Sequence, residues 1–345
     1  MRRGLLTWDE NELPVSVLEA RVAKLRAAMA RDGLDGLVAY TNIAKPAAVS
    51  WISGFTPYWS EGLLYVPREG DIAFATALSK RVAEWISTVM PKGEIIPTPQ
   101  PGIAIGKKIA ASGARRIGMP DIEDVPARQA KDLVAAAPDI TLVDATETFN
   151  SVRAGIDDAE RALVRRAAEI AAAAMQQLDP AARTAQDLIA PCEGFARSAA
   201  AEEIFLSCVP DLRKDARFQR TDTAGALGET FALRISLAYK AGWVRVTKSF
   251  AREAKLAEKF AAAERSFSAL ALPLCDPAAQ IAAALKGSCA KMKTWTIEQP
   301  RGSCPLVPVA GSIVSESSLQ AAAPCTVTIE CDLAGARWIA ARPLL

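Results

Sequence analysis

The sequence contains no histidine among its 345 residues. Histidine is the commonest metal ligand and the commonest general base in proteins, so its absence removes both roles at once. It also excludes every Ser-His and Cys-His catalytic arrangement. Any chemistry of this chain must therefore rest on side chains other than histidine.

Cysteine pairs with metal-binding spacing are absent as well. All seven cysteines lie between Cys192 and Cys331, their number is odd, and no Cys-x-x-Cys pair occurs. This pattern argues against a disulfide framework and against a zinc ribbon, and it favours reduced, buried thiols. We expect a cytoplasmic protein.

Long runs of one charge or of apolar residues are also missing. The net charge is +2 without a long basic block, so the charge does not favour a nucleic-acid partner. No uninterrupted apolar run approaches the length of a transmembrane helix. Acidic residues at Asp9, Glu10 and Glu12 interrupt any apolar targeting region. We therefore expect neither nucleic acid nor a membrane as a partner.

Segments typical of strands alternate with segments typical of helices in the first part of the chain. The first helix is predicted to start at a capping box formed by Ser16 and Glu19. The alternation predicts an α/β domain over residues 1–145. Residues 144–155 are predicted to connect it to a second domain, residues 146–345, which starts with a long helix.

A predicted β-hairpin, with the sequence GETFALRISLAYKAGWVRVTKSF, carries the most informative pattern. Apolar residues alternate on both sides of a turn at residues 240–241. A symmetric turn would place Ser236 opposite Arg245, and Arg234 opposite Thr247. Both arginines would then lie on the same face of the sheet, and a slip of one residue would separate them.

This hairpin resembles the metal-binding hairpin of the creatinase, aminopeptidase P and methionine aminopeptidase superfamily, which has the pita-bread fold. Residues 228–229 match the family's Gly-Asp turn, Tyr239 and Gly242 match its Tyr-x-Gly bend, and residues 247–250 match its ending. Residues 47–55 resemble a segment of the family's amino-terminal domain. The resemblance implies a creatinase-like domain over residues 1–145, a pita-bread domain over residues 146–345, and a homodimer.

The same resemblance implies that the family's metal ligands have been replaced. Its two aspartates fall at Arg234 and Arg245, its first glutamate at Glu330 and its final glutamate near Ile339. An upstream histidine falls at Arg217 and another near residues 299–301. Guanidinium groups would repel metal ions, so the resemblance implies a metal-independent protein without a cofactor.

Arginine side chains stay protonated and cannot act as bases, but they bind anions through paired hydrogen bonds. We predict that Arg217, Arg234 and Arg245 hold a small anionic ligand. Buried cations need a partner, and Glu330 is the nearest predicted carboxylate. Two alternatives remain open: the arginines could lie on a solvated face, or they could pair with Glu330 and fill the former cavity.

Other side chains could complete a site. Candidates for proton transfer or nucleophilic chemistry are Glu330, Glu298 and Tyr239. Aromatic residues could wall a pocket, since in creatinase relatives one subunit's first domain borders its partner's site. These residues are Trp51, Phe55, Tyr58 and Trp59. The alternative for them is a packed aromatic cluster.

Two classes of function follow. The first is a metal-independent hydrolase or lyase that splits a C–N or similar bond in a small anion. The second is a pseudoenzyme that binds a ligand or a partner, with an active relative as one such partner. A third, histone or nucleic-acid binding like that of a histone chaperone's peptidase-like module, ranks last because the chain lacks a basic stripe.

Overall fold

The computed structural model describes residues 8–43, 45–57, 60–153, 155–220, 225–299 and 319–345. Contacts divide these residues into two compact units, an amino-terminal unit and a carboxy-terminal unit, with the division between Ala159 and Glu160. Both units combine helices with a sheet, and the α/β prediction is confirmed. Among the described helices, none is both long enough and apolar enough to span a membrane.

The amino-terminal unit contains one six-stranded mixed sheet in the order β4-β3-β2-β1-β5-β6. The pairs β1–β2 and β2–β3 are antiparallel, and the pairs β3–β4, β1–β5 and β5–β6 are parallel. The strands are β1 (Gly36–Thr41), β2 (Gly62–Pro67), β3 (Ala73–Thr76), β4 (Glu94–Pro97), β5 (Arg116–Met119) and β6 (Thr141–Asp144).

Helices cover both faces of this sheet, because successive strand residues point in opposite directions. Leu37 packs with one helical layer and Val38 with the other. The helices are α1 (Val15–Arg31), α2 (Ala47–Ser53), α3 (Lys80–Ile86), α4 (Pro101–Ser112), α5 (Ala127–Ala136) and α6 (Thr146–Arg153), with a short 3-10 helix at Ile122–Asp124.

Two local predictions for this unit differ from the structure. The predicted capping box does not form, because α1 begins two residues earlier than a cap at Ser16 requires, and its N-cap is Pro14, which has no capping side chain. The segment predicted as a connection over residues 144–155 contains α6, which contacts α1. A helix of eight residues gives only two turns of periodic pattern, which is too short a signal to separate from a polar loop.

Helices α4 and α5 approach closely at Gly106. A Cβ atom there would lie 2.6 Å from the Ala136 Cβ and 2.8 Å from the Leu133 carbonyl oxygen. We expect Gly106→Ala to lower the free energy of unfolding by about 1–3 kcal/mol, as overpacking does. Urea denaturation would measure it. The control Gly194→Ala, at a helical glycine with no neighbour within 4 Å, should instead raise stability by about 0.5–1 kcal/mol. Equal effects of the two substitutions would contradict this explanation.

The carboxy-terminal unit contains a seven-stranded sheet in the order β11-β12-β13-β10-β9-β7-β8. Its strands are β7 (Glu203–Val209), β8 (Gln219–Arg220), β9 (Thr230–Tyr239), β10 (Gly242–Ala251), β11 (Lys291–Glu298), β12 (Cys325–Leu333) and β13 (Ala336–Leu344). The helices are α7 (Asp158–Met175), α8 (Ala185–Ser198), α9 (Ala254–Ser268) and α10 (Pro277–Ala284). Thr184 caps α8 by accepting a hydrogen bond from the Asp187 backbone N–H.

One face of this sheet is apolar and is covered by helices. Phe260 and Phe267 of α9 pack with Val327, Ile329 and Trp338 of the strands in a single core cluster. The strand residues between these apolar positions point to the opposite face, since side chains alternate along a strand. That opposite face carries the polar residues of the predicted hairpin.

Candidate functional site

The hairpin formed by β9 and β10 has the predicted register. Lys240 and Ala241 form the two-residue turn, with φ angles of 44° and 64°. Arg245 is paired with Ser236, and Thr247 is paired with Arg234. Directly paired residues share a face, so the side chains of both arginines lie on one side of the sheet. We call this side the arginine face.

The arginine face continues across the sheet to β11. Ala341 of β13 is paired with Thr247 of β10 and also with Thr328 of β12. Thr328 therefore lies on this face. Thr326 and Glu330 lie two residues to either side of Thr328 and share its face. Glu298 of β11 is paired with Thr326. Two carboxylates, Glu298 and Glu330, therefore lie on the same face as the two arginines.

The carboxylate that pairs with an arginine is Glu298. Arg245 Nη1 donates to both carboxylate oxygens of Glu298, at 2.9 and 2.8 Å, and Arg245 Nε donates to the Ser236 hydroxyl at 3.3 Å. The side chains are 14% and 3% exposed, so the ion pair is largely withdrawn from water. The prediction of Glu330 as the arginines' partner is wrong, because its nearest ion-pair partner is Arg337, at 3.8 Å.

Arg234 has no comparable partner. Its guanidinium carbon lies 3.6 Å from the centre of the Phe218 ring, and no hydrogen bond or ion pair joins Arg234 to another described residue. Burial and the neighbouring charge of Arg245 lower the pKa of Arg234 to about 10, while Glu298 acts in the opposite direction. Burial also lowers the pKa of Arg245, against the effect of Glu298.

One row of paired residues on the arginine face contains three buried polar atoms that lack hydrogen-bond partners among the described residues. They are Arg234 Nε, Thr247 Oγ1 and Thr328 Oγ1. All three belong to one row of paired residues across β9, β10, β13 and β12. Buried polar atoms are normally satisfied, and a guanidinium N–H and two hydroxyls can each donate to a ligand oxygen. These three unused hydrogen-bond donors are the chemical feature that distinguishes the arginine face.

The remaining predicted site residues do not join this row. Arg217 is paired with Asp215 at 2.5 Å and its side chain is 87% exposed. Tyr239 alternates onto the face opposite to Arg234, because the two positions differ by an odd number of residues. Ile339, at the position implied for the final glutamate, is buried.

Trp51 and Phe55 lie in the core of the amino-terminal unit. The Trp51 ring packs edge-on against Phe149, with ring centres 5.8 Å apart, and Phe55 packs against Phe74 at 5.7 Å. Both side chains are buried, at 6% and 2% exposure. The packed aromatic cluster, which was the alternative for these residues, describes this arrangement. Tyr58 and Trp59 lie outside the described residues.

Comparisons with known proteins agree with both halves of this architecture. The family described as "Creatinase/Prolidase N-terminal domain" matches residues 21–154, which run from within α1 to the end of α6. The amino-terminal unit is therefore similar to a creatinase/prolidase N-terminal domain. No curated protein matches the chain.

Solved structures extend the likeness to the carboxy-terminal unit. An Xaa-Pro dipeptidase from Bacillus anthracis is 16% identical with a TM-score of 0.67, covering 94% of each chain. A prolidase from Pyrococcus horikoshii OT3 is 12% identical with a TM-score of 0.66, again over 94% of each chain. An X-Pro aminopeptidase from Thermotoga maritima MSB8 is 15% identical with a TM-score of 0.65, over 92% of this chain and 95% of its own. These values establish the pita-bread fold that the hairpin predicted.

The metal pair that this fold family implies does not fit the residues present. The positions at which the hairpin resemblance places the family's two aspartates hold guanidinium groups, which carry positive charge and no lone pair for a metal. Within the described part of the chain, no group of three or more His, Cys, Asp or Glu side chains could hold a metal ion. The donors on the arginine face suit an anion.

Sequence reasoning missed two contributors to the site and one contact between residues that it did predict. Thr247 and Thr328 received no role, although their alternation with apolar neighbours places them on the same faces as Arg245 and Glu330. The pairing of Glu298 with Arg245 depends on the order of four strands, and no local pattern encodes that order. Because side chains alternate along a strand, the odd or even spacing of the two threonines from Arg245 and Glu330 could have placed them on the same faces as those residues.

Proposed function

We propose that the arginine face binds a small anion, and that the chain is a metal-independent pseudopeptidase whose ligand occupies the place of the family's metal ions. The observation that carries this proposal is Arg234, a largely buried guanidinium without an ion-pair partner among the described residues. The neighbouring charges that act on it are those of Arg245 and Glu298. Arg234 is thus a largely buried cation without a compensating ion pair among the described residues, and a bound anion would supply one.

The row of unused donors supports the same proposal. Leaving a buried donor without an acceptor costs about 1–3 kcal/mol, so Arg234 Nε, Thr247 and Thr328 together favour an occupant rich in oxygen acceptors. The proposal also includes the homodimer, or a pair with an active relative, and the cytosolic location that the resemblance implies.

Anions are expected to stabilise the protein, and divalent metals are not. Acetate or phosphate at ten times its dissociation constant should add about 1.4 kcal/mol of stability, which corresponds to about 3–6 °C in Tm. Thermal unfolding would be followed in titrations with acetate, phosphate, Mn²⁺ and Zn²⁺. The control variant is Arg217→Gln, which removes an exposed arginine and should keep the anion effect. Stoichiometric Mn²⁺ or Zn²⁺ binding, or no response to any anion, would refute the proposal.

Cleavage of the bound anion is the second candidate function. The position and loose pairing of the Glu330 carboxylate favour it. Its carboxylate lies on the arginine face, is 25% exposed, and pairs only loosely, at 3.8 Å, with Arg337. Incubation of each binding anion followed by mass spectrometry would test for a cleaved product. Turnover that is lost in Glu330→Gln would establish an enzyme, and binding without turnover would leave the pseudopeptidase.

A further inference from the structure

An aromatic pair extends the arginine face beyond the arginines. Phe205 of β7 is paired with Ser236, which places its side chain on this face. Its ring stacks on Trp243, with ring centres 5.9 Å apart and an angle of 23° between the planes. Trp243 is buried, at 7% exposure, whereas Phe205 is 43% exposed. One side of the Phe205 ring is therefore covered by Trp243, while much of the rest of the side chain faces solvent.

The exposed ring lies within reach of a ligand held by the arginines. Phe205, Ser236 and Arg245 form one row on three adjacent strands. Arg234 lies two residues from Ser236 on the same strand, so Phe205 and Arg234 are diagonal neighbours on adjacent strands, about 7–8 Å apart. The Ser236 hydroxyl accepts a hydrogen bond from Arg245. A flat apolar ring attached directly to an anionic group spans such a distance.

The charge and the donors of the site select the anionic group. Glu298 is paired with Arg245, which leaves Arg234 as a single cation without an ion pair among the described residues, and one monoanion balances it. The unused donors point to a group that only accepts hydrogen bonds, and a planar carboxylate matches a planar guanidinium. A phosphate group, with close to two negative charges, would leave an excess of negative charge in a largely buried place.

We propose that the ligand is an organic monocarboxylate with a flat apolar group. Its carboxylate would lie against Arg234 and Thr247, and its apolar group would pack on the exposed ring of Phe205. This inference rests on the anion site proposed above and adds the chemical class of the ligand.

Calorimetric titration with three small probes tests this assignment. Benzoate has the carboxylate and the ring, acetate has the carboxylate alone, and benzamide has the ring without the charge. We expect benzoate to bind about tenfold more tightly than acetate, as one well-packed aromatic contact allows, and benzamide to show no measurable binding. Equal affinities for benzoate and acetate would overturn the ligand class while leaving the anion site intact. Absence of binding by either carboxylate would refute the anion site as well.

Substitution of the exposed ring locates the apolar contact. Phe205→Ala should reduce benzoate affinity about tenfold and leave acetate affinity unchanged, and the retained acetate binding shows that the variant is folded. Val134→Ala, at another exposed apolar residue of the described chain, is the matched control and should change neither affinity. An unchanged benzoate affinity in Phe205→Ala would overturn the assignment, as would an equal loss in both variants.

Discussion

Replacing Glu298 with glutamine is expected to destabilise the protein by about 3–5 kcal/mol, the usual cost of removing one partner of a buried ion pair. The carboxylate is 3% exposed and accepts two hydrogen bonds from Arg245. Its loss would leave two largely buried guanidinium groups on one face without a carboxylate between them. Urea denaturation, followed by circular dichroism, gives the change in the free energy of unfolding.

Two further variants separate charge from packing in this experiment. The double variant Glu298→Gln with Arg245→Met removes the uncompensated cation and should recover a large part of the lost stability. Glu330→Gln removes a carboxylate from the same face whose ion pair is long and more exposed, and it should cost no more than about 1 kcal/mol. If the Glu298 and Glu330 substitutions cost the same, the Arg245–Glu298 pair would not be the central contact of the face.

Replacing Arg234 with methionine is expected to stabilise the anion-free protein and to abolish its response to anions. Burial beside Arg245 lowers the pKa of Arg234 to about 10, so the folded protein disfavours its charged form. An apolar side chain of similar length removes that penalty and keeps the contact with the Phe218 ring. We expect a gain of about 1–3 kcal/mol in anion-free buffer.

Denaturation with and without acetate would measure both effects of the Arg234 substitution. The wild-type protein should gain stability on adding acetate, whereas Arg234→Met should not. Arg217→Gln, at an arginine that is 87% exposed, should behave like the wild type in both buffers. A loss of stability in Arg234→Met without anion would show that the guanidinium is already satisfied in the folded protein.

The hairpin could be predicted because its information is local. Alternating apolar residues fix the face of each strand, and a two-residue turn fixes the register between them. The prediction that Arg234 and Arg245 lie on the same face of the sheet therefore follows from 23 consecutive residues. The same reasoning placed most other strands and helices, because each contains several periods of its own pattern.

The partners of the arginines could not be predicted in the same way. Arg245 and Glu298 are 53 residues apart, and their contact requires β11, β12, β13 and β10 to lie side by side in that order. The family resemblance implied Glu330 as the partner of the arginines, because it matched single sequence positions to the family without regard to which strands are neighbours. Which carboxylate a cation reaches depends on side-chain length and strand order, and neither is visible in a linear pattern.

The most direct test of this account is a crystal structure of the protein grown in bromide and recorded at the bromine absorption edge. Bromide is a monoanion, and its anomalous signal distinguishes it from water. The account predicts an anomalous peak within hydrogen-bonding reach of Arg234 Nε, between Thr247 and Thr328. No peak at this row, or an Arg234 side chain turned away into bulk solvent, would contradict it.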